Sequence, residues 1–231
     1  MLRTANRLTR PPRLPFDNGD TMDQPTFHAL YKTTPDGFKA ELIQGIVFMA
    51  SPVRTLHGLP HGNLATLLGV YAAQTPGVQF FIDSSTILGI GDEPQPDLAL
   101  MLQPAFGGQA MIDDEGYIQG APELVIEIAA STMSIDLNAK LDAYSDAGVQ
   151  EYIVALEPTE SIRCFSRTKR GLVEQHISDD LLYHSPAFPG LWLDAKAVFD
   201  PTAKRLLATL QLGLASAEHA KFVAKLNKKR R

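Results

Sequence analysis

The run Leu124-Val125-Ile126-Glu127-Ile128-Ala129 is apolar at every position but one, and Glu151-Tyr152-Ile153-Val154-Ala155-Leu156 repeats the pattern further on. Continuous apolar runs of this length have the composition of strands buried on both faces. Between them, residues 135–147 put Leu137, Leu141 and Tyr144 on one helical face and stop at Gly148. Strand, helix, strand in this order predicts a crossover unit, two parallel strands with the helix packed against their sheet.

The flanking sequence predicts hairpins around this unit. Residues 39–43 and 46–50 are β-rich and separated by Gln44 and Gly45, the length of a two-residue turn. A helix starting from Asp23, with Pro25 in its first turn and Phe27, Leu30 and Tyr31 at three-and-four spacing, precedes them. After them comes a helix that carries Leu64, Leu67, Leu68 and Tyr71, starts near Pro60 and ends before Pro76. Residues 78–82, 86–90 and 97–102 read as strands before the crossover unit, with a polar loop up to Ala121. Residues 161–167, 172–177 and 191–193 read as strands after it. The expected fold is α/β with a mixed central sheet flanked by helices. A last helix, capped by Asp200 and Pro201, presents Leu206, Leu207, Leu210 and Leu214 either to the core or to a second copy of the chain.

Composition narrows the function classes. The 231 residues are 45% hydrophobic and 20% charged, with a mean hydropathy of -0.06, values that fit one folded domain with appendages. No stretch approaches the roughly 20 apolar residues needed to cross a bilayer, and the start lacks a secretory apolar core, so a cytoplasmic location is expected. The single cysteine, Cys164, excludes an internal disulfide and a thiolate zinc site. His57 and His61 are four apart, but Pro60 between them opposes a zinc pair on one helix. The net charge of -5 hides an asymmetry: ten of the 21 basic residues lie in 1–13 and 221–231, leaving residues 14–220 near -15. That body lacks the basic footprint of a general nucleic-acid binder. The chain divides into a basic arm (1–21), a folded domain (22–200) and a C-terminal helix with a basic tail (201–231).

Glu127 is the informative exception. An ionised carboxylate inside a buried strand is costly without a partner, a proton or a metal. Asp97, after Pro96 at the start of another strand, stands where a loop can return the chain beside Glu127. Two carboxylates on neighbouring strands suit a hard divalent cation that keeps positions for water and phosphate. Lys140 stands one turn from Asp136, the spacing of a helix-surface ion pair.

The order Pro96-Asp97, then Glu127-Ile128-Ala129, resembles the nuclease superfamily with the signature Pro-Asp, then Asp or Glu, any residue, Lys, written PD-(D/E)xK. Six further segments resemble the Uma2 family of restriction endonucleases over roughly residues 23–200. They are Glu41-Leu42-Ile43-Gln44-Gly45, His57, Ala121-Pro122-Glu123-Leu124, Lys140 with Tyr144, Gly148-Val149-Gln150-Glu151-Tyr152 and Phe188-Pro189-Gly190-Leu191. The resemblance implies a restriction-endonuclease-like core and a Mg²⁺-dependent endonuclease acting on DNA, with Mn²⁺ as a substitute. It implies that Asp97, Glu127 and the backbone carbonyl of Ile128 bind the metal, and that Glu41 is a further acid at the site. Ala129 occupies the signature's lysine position, and the family's lysine on the following helix corresponds to Lys140. The rival expectation is a non-catalytic nucleic-acid-binding or regulatory protein that keeps the fold. Two-strand cutting would be served by a homodimer, formed through the C-terminal helix.

Overall fold

The computed structural model describes residues 14–49 and 55–229. In chain order the first elements are α1 (Gln24–Tyr31), β1 (Ala40–Ile43), β2 (Ile46–Met49), α2 (Thr55–Gln74), β3 (Val78–Ile82), β4 (Thr86–Ile87) and β5 (Leu98–Leu102). Then follow β6 (Met111–Ile112), β7 (Ile118–Gln119), β8 (Leu124–Ala129), α3 (Met133–Asp136), α4 (Ala139–Ala147) and β9 (Glu151–Leu156). The chain closes with β10 (Ser161–Thr168), β11 (Gly171–Gln175), β12 (Leu182–His184), β13 (Trp192–Asp194), α5 (Lys204–Leu214) and α6 (Ala217–Lys229).

A six-stranded sheet in the order β11-β10-β9-β8-β5-β3 forms the centre. Its β8 and β9 are parallel, joined through α3 and α4 as the crossover pattern predicts, and every other neighbouring pair is antiparallel. The β1-β2 hairpin turns through Gln44 and Gly45, both with positive φ (51° and 75°), the geometry a two-residue turn needs to match strand twist.

Alternation along β8 builds the two layers. Leu124, Ile126 and Ile128 face Leu64, Leu67, Leu68 and Tyr71 of α2, a layer completed by Leu206 and Leu210 of α5. Val125 and Ala129 face the other way, toward Tyr144 of α4, with Tyr152 and Phe165. Each such aliphatic side chain contributes on the order of 1.5–3 kcal/mol on burial. The period of two puts Glu127 on the α4 face.

Several boundaries differ from the sequence reading. The helix expected over 135–147 is two helices, because Asn138 leaves helical geometry (φ -128°, ψ -86°) and its side-chain amide donates to the Ser134 carbonyl. Pro60 lies inside α2, which begins earlier at Thr55; one lost hydrogen bond is outweighed by a long helix packed on the sheet. The loop before Ala121 contains β6 and β7, which pair with each other, β7 also pairing with β4. The expected C-terminal helix begins at Lys204 and is broken into α5 and α6, with Ser216 Oγ accepting from His219 N.

Within the arm expected over 1–21, residues 17–21 are exposed, and the contacts with the domain are made by Phe16 and by the backbone. Phe16 is buried against Phe27, and Gly19 and Asp20 exchange backbone hydrogen bonds with Val47. Residues 1–13 lie outside the described ones. Leu206, Leu207, Leu210 and Leu214 are used within the chain's own core, so of the α5 leucines only Leu212 is strongly exposed. Among the described residues no helix is long and apolar enough to cross a membrane.

Candidate active site

Strand register assembles the acids. Ile82 pairs with Leu98, and Leu98 pairs with Ile126, so one residue further the same row holds Asp83 just after β3, Asp97 just before β5 and Glu127 on β8. Asp97 Oδ2 accepts from Ile128 N at 2.7 Å, which ties its carboxylate to the strand that carries Glu127. The expected juxtaposition of Asp97 and Glu127 is therefore a consequence of β5 and β8 being sheet neighbours.

The α4 face supplies the cation. Lys140, in the first turn of α4, places Nζ 3.0 Å from Glu127 Oε1, 2.9 Å from Glu41 Oε1 and 3.7 Å from Asp136 Oδ1. One turn later Tyr144 donates its hydroxyl to the same Glu127 Oε1 at 2.8 Å. The lysine is thus not a surface partner of Asp136; its side chain is 6% exposed, and those of Glu127 and Asp136 are 4% and 3% exposed. The break at Asn138 separates α3 from α4; Lys140 and Tyr144 of α4 converge on the Glu127 carboxylate, and Asp136 at the end of α3 faces Lys140. Glu41 reaches in from β1, its Oε1 also accepting from Gln95 N at 2.7 Å. Tyr152 donates to the Asp136 carbonyl at 2.9 Å and holds the helix break against the sheet.

Burial pushes the Glu127 carboxyl well above the usual carboxylate range; Lys140 opposes this, and Asp97, Asp136 and Glu41 reinforce it. Burial pulls Lys140 down, but Glu127, Glu41 and Asp136 outweigh it and hold the ammonium well above the ordinary lysine value. Burial and the nearby Glu127 raise Tyr144, which stays a neutral donor. One cation among this many acids leaves an excess of negative charge, which suits the approach of a divalent cation.

A pH dependence follows. Glu127 binds its proton more tightly in the folded chain, so its contribution to stability is complete below the unfolded value of about 4.3 and is lost as pH rises through the raised folded value. The denaturant midpoint of metal-free protein is expected to fall across that window. Glu127→Gln should make the fall shallower. An unchanged slope would assign it to Glu123, Asp136 and Glu151, whose carboxyls burial also raises.

Three donors cluster at the Asp97 end of the row: one ligand atom each from His61, Asp83 and Asp97 lie within 4.8 Å of one another. Two carboxylates and one imidazole at this proximity are a donor set that could hold a divalent cation. His61 Nε2 stands 3.3 Å from the Asp97 carbonyl, and Asp83, at a left-handed φ of 49°, donates its N–H to that carbonyl and pairs with Lys39 at 2.9 Å. Of the expected residues, Asp97 belongs to this group, while Glu127 is grouped with Glu41 and Lys140 beside it. His61 and Asp83 were not legible as site residues, because only the pairing of β3 with β5 and the path of α2 bring them to Asp97. The His57 side chain lies outside the described residues.

The fold has a counterpart among solved structures. The crystal structure of a putative nuclease belonging to DUF820 from Anabaena variabilis superposes with a TM-score of 0.55 at 14% sequence identity, covering 80% of this chain and 98% of that one. Among curated proteins no sequence matches. The family model for Uma2, described as "Putative restriction endonuclease", matches residues 24–196, a span that includes Glu41, Asp97, Glu127 and Lys140. With an α/β fold shared with that structure and a family match over most of its length, the chain belongs to the Uma2 family.

Proposed function

We propose that the protein is a divalent-metal-dependent endonuclease that hydrolyses phosphodiester bonds in DNA, with Mg²⁺ as the metal and Mn²⁺ able to replace it. The observation that carries this reading is the Lys140 ammonium 3.0 Å from Glu127 Oε1, on the sheet face where Ala129 holds no cation. Asp97, Glu127 and the Ile128 carbonyl are the proposed metal ligands, with His61 and Asp83 available beside Asp97. When bound, the metal supplies charge neutralisation at the phosphate and a more acidic water.

The chain's own groups do the positioning. Tyr144 and Lys140 both engage Glu127 Oε1, which fixes the carboxylate plane. Glu41 and Asp136 hold Lys140 in place and keep it charged, so that it is a fixed positive pole for the charge that develops on phosphate oxygens. No reorganisation is then needed when that charge appears.

Incubation of wild type and Glu127→Ala with supercoiled plasmid and with single-stranded DNA, in Mg²⁺, Mn²⁺ or EDTA, tests the proposal. Cleavage by wild type alone, and only with metal, is expected. Equal cleavage by both would move the site elsewhere, and none by either would favour the non-catalytic rival.

A further inference from the structure

Lys221, Lys225, Lys228 and Lys229 of α6 are all exposed and fall at i, i+4, i+7 and i+8, one stripe of the helix. The face beside it carries His219 and Leu226, both buried, with Phe222 packed on the main core; Lys229, seven residues after Phe222, stands at the border between the two. His219 is held at both ring nitrogens, 3.0 Å from Thr75 Oγ1 at the end of α2 and 3.0 Å from the Leu214 carbonyl. The helix is therefore anchored by one face, and Lys221, Lys225 and Lys228 are exposed away from it. The one acid of α6, Glu218, lies at its start and accepts from Trp192 Nε1 at 2.7 Å. In sequence, Arg230 and Arg231 continue the basic run.

This stripe contrasts with a body of about -15 over residues 14–220. Eight residues of helix rise about 12 Å. A duplex carries one phosphate charge per about 1.7 Å of axis, so that length offers roughly seven phosphates to the ammonium groups of Lys221, Lys225 and Lys228. The stripe is also distant from the acids. Its C-terminal end lies on the loop after β5, where Lys229 Nζ covers Gly107: a Cβ there would be 2.1 Å from Nζ, and φ is +86°. Asp97 stands at the other end of β5, a five-residue strand of about 16 Å. Both α5 and α6 lie beyond the family-matched residues 24–196.

We propose that the lysine face of α6 docks the phosphate backbone of duplex DNA outside the cleavage site, an anchor added to the family core. The choice of DNA rests on the nuclease reading above. Contacts made away from the reacting phosphate are unchanged between substrate and transition state, so they appear in KM and not in kcat.

The test uses the full chain and the triple variant Lys221→Gln, Lys225→Gln, Lys228→Gln. Glutamine has nearly the helix propensity of lysine, so an unchanged circular dichroism spectrum is expected. Binding to a labelled duplex of about 30 base pairs is followed in EDTA by fluorescence anisotropy between about 50 and 200 mM salt. The slope of log K against log salt should flatten by about 2.7, or about 0.9 for each lost phosphate contact. Affinity at low salt should drop by about tenfold or more. With Mg²⁺, KM on plasmid should rise at unchanged kcat.

An unchanged slope, or no binding by wild type, overturns the docking face. So does a variant that only dissociates a dimer in sedimentation, since the stripe would then bind the acidic body of a second copy. The two readings fail separately. Lysine-dependent binding without cleavage keeps the docking face and removes the nuclease; Glu127-dependent cleavage with an unchanged salt slope does the reverse.

Discussion

Lys140→Met is expected to lower metal-dependent cleavage by at least about 10²-fold, the scale of losing one fixed electrostatic stabiliser, and to cost about 3–5 kcal/mol of stability at neutral pH. Both effects have one cause. Lys140 is the cation shared by Glu127, Glu41 and Asp136, and its removal leaves three acids facing one another, two of them almost wholly buried. Methionine keeps the stem volume, so packing changes little. The stability loss should shrink as pH falls, because Glu127 and Asp136, both already raised by burial, then take up protons and cease to repel. Denaturant titrations of the metal-free variant at several pH values check the sign, and a pH-independent loss would point to packing.

A second substitution tests the relocated ammonium. Ala129 lies two residues after Glu127 and on the same side of β8, where the PD-(D/E)xK signature carries its lysine. Adding Ala129→Lys to Lys140→Met is expected to recover at least about tenfold of the lost activity, provided that the ammonium acts by position and not by its helix of origin. A double variant no better than the single one would tie the role to α4.

Asp97→Ala is the other large effect. Asp97 stands in the row with Glu127 and also in the cluster with His61 and Asp83, so both candidate ligand groupings lose a member. Cleavage should fall by at least about 10²-fold, and calorimetric Mn²⁺ binding should weaken in parallel. The Ile128 N–H also loses its 2.7 Å acceptor, a stability cost of about 1–3 kcal/mol. Asp97→Asn separates these terms: its amide oxygen still accepts that bond, so stability should return while cleavage and Mn²⁺ affinity stay low. Wild-type cleavage by Asp97→Asn would remove Asp97 from the chemistry. If His61 and Asp83 are ligands, His61→Ala and Asp83→Asn should each weaken Mn²⁺ binding as well.

The lesson about legibility lies in which residues had local signals. Glu127 was visible because a carboxylate interrupts an otherwise apolar strand, and Asp97 because it follows Pro96 at a strand start. Lys140 needed the family resemblance, since by spacing alone it was the partner of Asp136 on one helix face. Asp83 gave no signal, since an acid after a strand is ordinary in a sequence, and His61 stood out only as a spacing partner of His57, not of Asp97. Asn138 within a helical pattern was equally silent, although its geometry divides the helix and aims Lys140 at Glu127.

By itself the sequence determined the α/β class, the parallel pairing of β8 and β9 through a crossover helix, and the turn at Gln44 and Gly45. Each of these rests on patterns within a few residues, the side-chain period of two or 3.6 and the turn's need for positive φ. Only the tertiary structure decided that β3, β5 and β8 are neighbours with Asp83, Asp97 and Glu127 in one row, and that the α5 leucines serve the chain's own core. It also decided that the α6 lysines face outward. Strand order and helix facing depend on contacts between residues distant in the chain, where the free energy of burial is summed over the whole core and no local pattern records the result.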